Sequence, residues 1–254
     1  MKRLFSTAKS PKIVFNYIWL KLRKLDPTSV SFSDAKRFFE TQKFGNERLF
    51  EAIEARVRTA KTVFDIGANS GYFSKGLIER GFTGRIILFE PIPNLISIAV
   101  KTLSQYKNDK IFVNSALGER REILNLFVSD DSNIGWNTLV KSKATSTKSV
   151  QVSVTPTLEY ASLFRPELVK IDIEGFEVFV LRPFLELISP TYRPSFLVEL
   201  GWGKNNPHWT EFLTVASQLY AQGYKITDLS KEHRVMTLDE LRNLEKTIDV
   251  LIEA

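Results

Sequence analysis

Residues 168–181 read LVKIDIEGFEVFVL. The run is apolar enough to be buried, yet it carries Asp172, Glu174 and Glu177. An unpaired carboxylate in a dry interior is costly or takes up a proton, so acids here imply a place where the run opens to a ligand. Side chains alternate faces along a strand. Asp172 and Glu174 are two apart and point the same way if the strand persists that far, and Gly175 then ends it. Glu177 falls in the first turn of the following helix, where the helix dipole favours an acid. Glu199 ends the next apolar run, SFLVELG (195–201), and is expected at the same rim. Carboxylates grouped at a rim suit two kinds of chemistry. One is accepting the proton of a hydroxyl, or orienting it, as it attacks an electrophile. The other is holding a hard divalent cation through oxygen ligands, which would also acidify a bound hydroxyl. The first is the preferred reading, and no metal ligands are assigned. His208, in GWGKNNPHWTEF directly after that run, is a further candidate base because its ordinary pKa is near neutrality. A solvated histidine near a helix start is the plain alternative.

A second constellation is FDIGANSGYFS (64–74). A strand ends at Asp65, glycines follow at 67 and 71, and a helix begins. Gly67 permits a tight turn and Gly71 a close backbone approach to a ligand. The helix start offers free amide donors and a positive dipole end. The dinucleotide fingerprint is Gly-x-Gly-x-x-Gly, whereas the pattern here is Asp-x-Gly-x-x-x-Gly. An acid in that place repels pyrophosphate but can hold a cationic amino group, such as that of S-adenosylmethionine. Glu90 closes the second strand in ILFEP, where an acid hydrogen-bonds the ribose hydroxyls of an adenosine. The combination favours the methyl donor over a nicotinamide cofactor; a purely structural strand-to-helix turn is the alternative.

The elements that must position these groups follow from hydrophobic periodicity. Residues 28–60 read as helical, with Ser33 as a candidate cap. Strands are expected at 62–67, 84–91, 110–118, 167–173, 195–201 and 224–230, with helices at 70–81, 94–106, about 175–188 and near 209–222. Such alternation predicts an α/β domain with a mostly parallel central sheet and helices on both faces. Two further strands, 122–130 and 149–158, interrupt it as an inserted pair or edge extension, joined by the polar loop 130–148. The tail TLDELRNLEKTIDVLIEA reads as helical. The division is a basic, helical extension (1–60) and one catalytic domain (61–254).

VFDIGANSGYFS, LFEPIP, NSALG and VKIDIEGFEVFVL, in this order and spacing, resemble the FkbM-type S-adenosylmethionine-dependent methyltransferases over roughly residues 60–230. The resemblance implies a Rossmann-like class I methyltransferase fold and methyl transfer to a hydroxyl oxygen, often on sugars or polyketide-type natural products. It implies that Asp65, Gly67, Asn69 and Gly71 line the methionine end of the donor, that Glu90 holds the ribose, and that the turn 114–118 lies along the adenine. No acid stands in that turn, so adenine recognition falls to Asn114 and to the backbone near Ser115 and Ala116.

Composition excludes some classes. The chain has no cysteine and two histidines, which removes disulfides and thiolate or histidine metal cages. Its formal charge is +6, but residues 1–25 carry seven basic side chains and no acid, leaving 28 basic and 29 acidic side chains elsewhere. The domain itself is near neutral, which argues against a nucleic-acid partner. No run reaches the length of a membrane span. The segment IVFNYIWLKLRKL (13–25) is either a helix packed on the domain or a peripheral contact with an anionic membrane surface. A cytoplasmic location, at the inner membrane face if the basic segment binds there, is expected. Trp136 in NIGWNTL, with Trp202 and Trp209 in WGKNNPHW, offers aromatic faces for a sugar ring or simply seals the domain edge. The expected function is O-methylation of a sugar, glycan, lipid-linked sugar or small natural product. A non-catalytic donor-binding or scaffold protein is the competing class.

Overall fold

The computed structural model describes residues 28–42, 47–129, 135–230 and 233–254. The basic segment 1–25 and the start of the polar loop, 130–134, lie outside the described residues. Among the described residues, no helix is long and apolar enough to cross a membrane.

Among the described residues two helices precede the sheet, α1 (Phe32–Gln42) and α2 (Glu47–Thr59). Ser31, not Ser33, caps α1, its hydroxyl accepting from the Asp34 amide at 3.2 Å. On α2, Phe50, Ile53 and Val57 fall on one face and are buried in the same cluster as sheet residues Val63, Ile86 and Leu88. This part of the extension therefore packs into the domain core.

Among the described residues the central sheet has eight strands: β1 (Thr62–Ile66), β2 (Arg85–Phe89), β3 (Lys110–Val113), β7 (Leu168–Ile171), β8 (Ser195–Leu200), β9 (Lys225–Asp228), β10 (Arg234–Val235) and β11 (Ile248–Glu253). Their spatial order is β10-β9-β11-β8-β7-β1-β2-β3. The β3, β2, β1, β7 and β8 strands run parallel, and β11 runs antiparallel between β8 and β9. Helices α3 (Tyr72–Glu79) and α4 (Pro93–Leu103) join α2 on one face. Helices α5 (Thr157–Phe164), α6 (Glu177–Phe184) and α7 (Trp209–Ala221) cover the other. This is the α/β architecture the sequence predicts.

Three departures have physical causes. The tail is helical only over α8 (Leu238–Arg242), started by a Thr237–Glu240 capping box; the rest is β11. Ile248, Val250 and Ile252 are buried on one face while Leu251 is buried on the other, so a strand flanked on both edges outweighs the helical reading of its charges. The interruption forms its own sheet of order β4-β6-β5, from β4 (Ala116–Gly118), β5 (Glu122–Phe127) and β6 (Ser149–Pro156). The expected strand at 110–118 is thereby split between two sheets. Helix α5, which begins just after Pro156, was not anticipated in the sequence.

Candidate active site

Pairing register decides which side chains meet. Asp65 on β1 lies opposite Lys170 on β7, and Glu199 on β8 opposite Asp249 on β11. Val63, Leu168, Leu197 and Leu251 pack in the cluster beneath α2, α3 and α4. With period two, Asp65, Lys170, Glu199 and Asp249 extend from that same face at the carboxyl end of the parallel strands. There a cavity opens, lined in part by Gly67, Asn69, Glu90, Ala116, Lys170, Asp172, Glu199 and Asp249.

The loop after β1 forms the first half of the site. The Gly67 and Ala68 amides both donate to Phe89 O at 3.0 Å, tying the loop to β2. Gly67 has φ +74°, and a Cβ there would stand 1.9 Å from Asp172 O, so only glycine lets the ends of β1 and β7 cross this closely. Glu90 is buried, with its carboxylate accepting from the Asn69 amide at 3.0 Å and the Ile92 amide at 2.9 Å. Burial pushes its pKa up to about 7, against the pull of those two amides and of the Lys170 charge. Asp65 is fully buried. Its Oδ2 accepts from Ser74 Oγ at 2.6 Å, and Oδ1, which has no hydrogen bond among the described residues, faces Lys170 Nζ at 3.5 Å.

The second half gathers acids. Asp172, Glu174 and Glu199 each bring a carboxylate oxygen within 4.8 Å of the others. The β7 strand stops at Ile171, and Glu174 (φ +51°) and Gly175 (φ +92°) turn the chain toward α6. Burial raises the pKa of Glu174, with the Asp172 and Glu177 charges adding to it. Burial likewise raises that of Glu199, helped by Asp172, Glu174 and Asp249. Asp249 is pushed up to about 6 by burial and then by Asp172. Glu177 accepts from the Gly175 amide at 2.6 Å and serves the start of α6; burial pushes it up to about 8.

Between the halves stands Lys170, 7% exposed. Its ammonium is 3.2 Å from Asp172 Oδ2 and donates to Gly67 O at 2.9 Å. Burial works against its charge, but Asp172 and Asp65 outweigh that and its pKa is raised. Sequence reasoning missed both Lys170 and Asp249. The signal for Lys170 was its period-two relation to Leu168 and Asp172 in an otherwise apolar strand. Asp249 was hidden by the helical reading of the tail.

Other expected residues fall elsewhere. Asp65 lies beneath the loop and does not line the cavity; the cation facing it is Lys170. Gly71 (φ +80°) starts α3 and lies outside the lining; a Cβ there would meet Ala99 Cβ at 3.1 Å. Asn114 also lies outside it, with its amide nitrogen donating to Glu90 O at 2.9 Å and Pro91 O at 3.0 Å. Glu174 sits behind Asp172 and Glu199 rather than on the cavity wall. His208 does not line the cavity; its ring packs 4.7 Å from Phe179 and its Nδ1 lies 3.7 Å from Glu211. Trp209 is buried core, its indole donating to Leu241 O, and Trp202 packs against Gly175. Trp136 is exposed between the lining residues Gly135 and Asn137.

An open sheet with this order, β11 reversed between β8 and β9, a glycine turn after β1 and a buried acid after β2 define the class I S-adenosylmethionine-dependent methyltransferase fold. The model of the methyltransferase FkbM domain matches residues 65–226, and the chain belongs to that family. No curated protein matches it. Similar solved structures include an O-methyltransferase from Bacillus cereus in complex with SAH, at 12% identity over 98% of this chain and 94% of that one, with TM-score 0.47. A SAH-bound methyltransferase from Podospora anserina is 12% identical over 98% and 90%, with TM-score 0.43. A ribosomal protein L11 methylase from Lactobacillus delbrueckii subsp. bulgaricus is 9% identical over 81% and 76%, with TM-score 0.43.

The residues present fit the methyl donor. Glu90 is fixed by two amides at the cavity wall, and a carboxylate has lone pairs beyond those two bonds for a pair of hydroxyls. Gly67, Asn69 and Ala116 line the same cavity as Glu90.

Proposed function

We propose that this chain transfers the methyl group of S-adenosylmethionine to a hydroxyl oxygen of a sugar, a glycan, a lipid-linked sugar or a small natural product. The observation that carries this reading is the convergence of Asp172, Glu174 and Glu199 within 4.8 Å, beside the loop that would hold the donor. When bound, the donor supplies an electrophilic methyl on a sulfonium sulfur, which leaves with the bonding pair as the neutral thioether. Asp172 is the member that faces outward, its side chain 44% exposed, so it accepts the proton that the attacking hydroxyl loses. Lys170 holds that carboxylate in place and, through Gly67 O, fixes it relative to the donor loop. Trp136, exposed beside the cavity, offers an aromatic face to a sugar ring. The seven basic residues among the first 25 suit an acceptor presented at an anionic membrane surface.

The test is incubation of the full chain with methyl-labelled donor and fractionated cell glycans and lipids. Label in an alkali-stable methyl ether supports the reading, with Asp172→Asn reducing transfer by about 10²-fold or more. Label confined to protein or nucleic acid contradicts it.

A further inference from the structure

Three buried glutamates near the site are treated differently. Glu90 and Glu177 each accept backbone amides. Glu174, 8% exposed, receives no hydrogen bond and no ion pair at its carboxylate among the described residues. Its oxygens are not wholly enclosed, so a water or an ion can reach them and supply the missing partner. It points into a cluster whose other members, Asp172 and Glu199, are themselves acids. Lys170 does not supply the partner. Its ammonium is committed to Asp172, Asp65 and Gly67 O, with no ion pair to Glu174 or Glu199.

We propose that Asp172, Glu174 and Glu199 form a site for a hard divalent cation of the magnesium, calcium or manganese class, which holds the acceptor hydroxyl. An all-oxygen, all-carboxylate donor set suits such cations. Two oxygens on one cation lie at most about twice the metal–oxygen distance apart, about 4.2 Å for magnesium and about 5 Å for calcium. The three oxygens lie within 4.8 Å of one another, so the wider calcium shell needs the smaller adjustment of the carboxylates and the magnesium shell the larger. Three protein oxygens leave further positions for water and for a hydroxyl entering on the side where Asp172 and Glu199 line the cavity. The role of the cation rests on the methyl-transfer reading; its binding does not.

The test is calorimetric titration of the full chain with magnesium, calcium and manganese chlorides above neutral pH, with melting temperatures measured alongside. Binding of at least one cation is expected, with a rise in Tm. The affinity should strengthen on the order of tenfold per pH unit for each proton displaced. Glu174→Gln and Glu199→Gln should each weaken binding at least tenfold. Glu174→Gln removes an unpaired buried carboxylate, so without added cation it should melt no lower than the wild type, separating lost binding from lost folding. Absence of heat and of a Tm shift with all three cations, or binding unchanged in Glu174→Gln, overturns the site. Titrating S-adenosylmethionine into the same samples separates the two readings. Donor binding without cation binding removes the cation site and leaves methyl transfer standing. Cation binding without donor binding does the reverse.

Discussion

The two halves of the cavity handle buried acid in opposite ways. On the β1–β2 side, Glu90 has two amide donors and Asp65 has Ser74 and Lys170. On the β7–β8–β11 side, the charged neighbours of Glu174, Glu199 and Asp249 are mostly other carboxylates, Asp172 first among them. A carboxylate whose donors are built in is ready to recognise a neutral ligand group, because its geometry costs nothing further to fix. Carboxylates facing each other raise one another's pKa and are completed only by protons, a cation or a substrate. The first half therefore reads as a finished binding site, and the second as one whose missing partner comes with the reaction.

Lys170 is the joint between the halves, and breaking it should have the largest effect. Lys170→Met leaves Asp65 buried without its cation, which should cost about 3–5 kcal/mol in urea unfolding and weaken donor binding and methyl transfer together. A variant that kept its stability would show that the halves do not depend on this ammonium. Next comes the close crossing itself. Gly67→Ala should cost roughly 2–4 kcal/mol, from the left-handed φ and the collision with Asp172 O. Gly81→Ala, where φ is +92° but a Cβ meets nothing within 4 Å, should cost only about 1–2 kcal/mol. Equal costs would mean that backbone strain alone, not the approach of β7, requires Gly67.

The acids also set a pH dependence. The folded-state pKa values of Glu90 (about 7) and Glu177 (about 8) lie above their unfolded value. Between about pH 4.5 and these values the folded state binds more protons than the unfolded state, so stability must fall as pH rises. The urea midpoint should decline from about pH 5 to about pH 8. Glu177→Gln, whose amide oxygen still accepts from Gly175 N, should flatten that decline. A midpoint that climbs over this interval would contradict the burial of these acids. The smallest effect is expected at His208, outside the cavity. His208→Ala should change stability by less than about 0.5 kcal/mol and leave kcat/KM within about twofold, whereas a pH-rate limb lost in this variant would restore it as the base.

The parallel strands were legible because each is a short β-branched run bounded by glycine or an acid, and the glycine loop was legible because its spacing differs from the dinucleotide pattern. Gly67, Glu90, Asp172 and Glu199 could be placed near one cavity from those runs, and Asn69 and Ala116 from the family resemblance. What was not legible depended on register and insertion. Asp249 reaches the acids only because β11 inserts antiparallel beside β8, a pairing of residues 50 apart that no local pattern announces. Lys170 reads as an ordinary strand lysine until Asp65 is set opposite it. His208 looked promising because its loop follows a strand that ends at the rim, but the loop turns it toward Phe179 instead.

The division between a finished donor site and an incomplete acid site is tested most directly by titrating S-adenosylmethionine into the wild type and into Glu174→Gln/Glu199→Gln, while following transfer of labelled methyl to the acceptor fraction. The account predicts donor affinity within about threefold in both proteins, with transfer reduced by about 10²-fold or more in the variant. Donor affinity and transfer falling in parallel would contradict it, because the acids would then belong to the donor site.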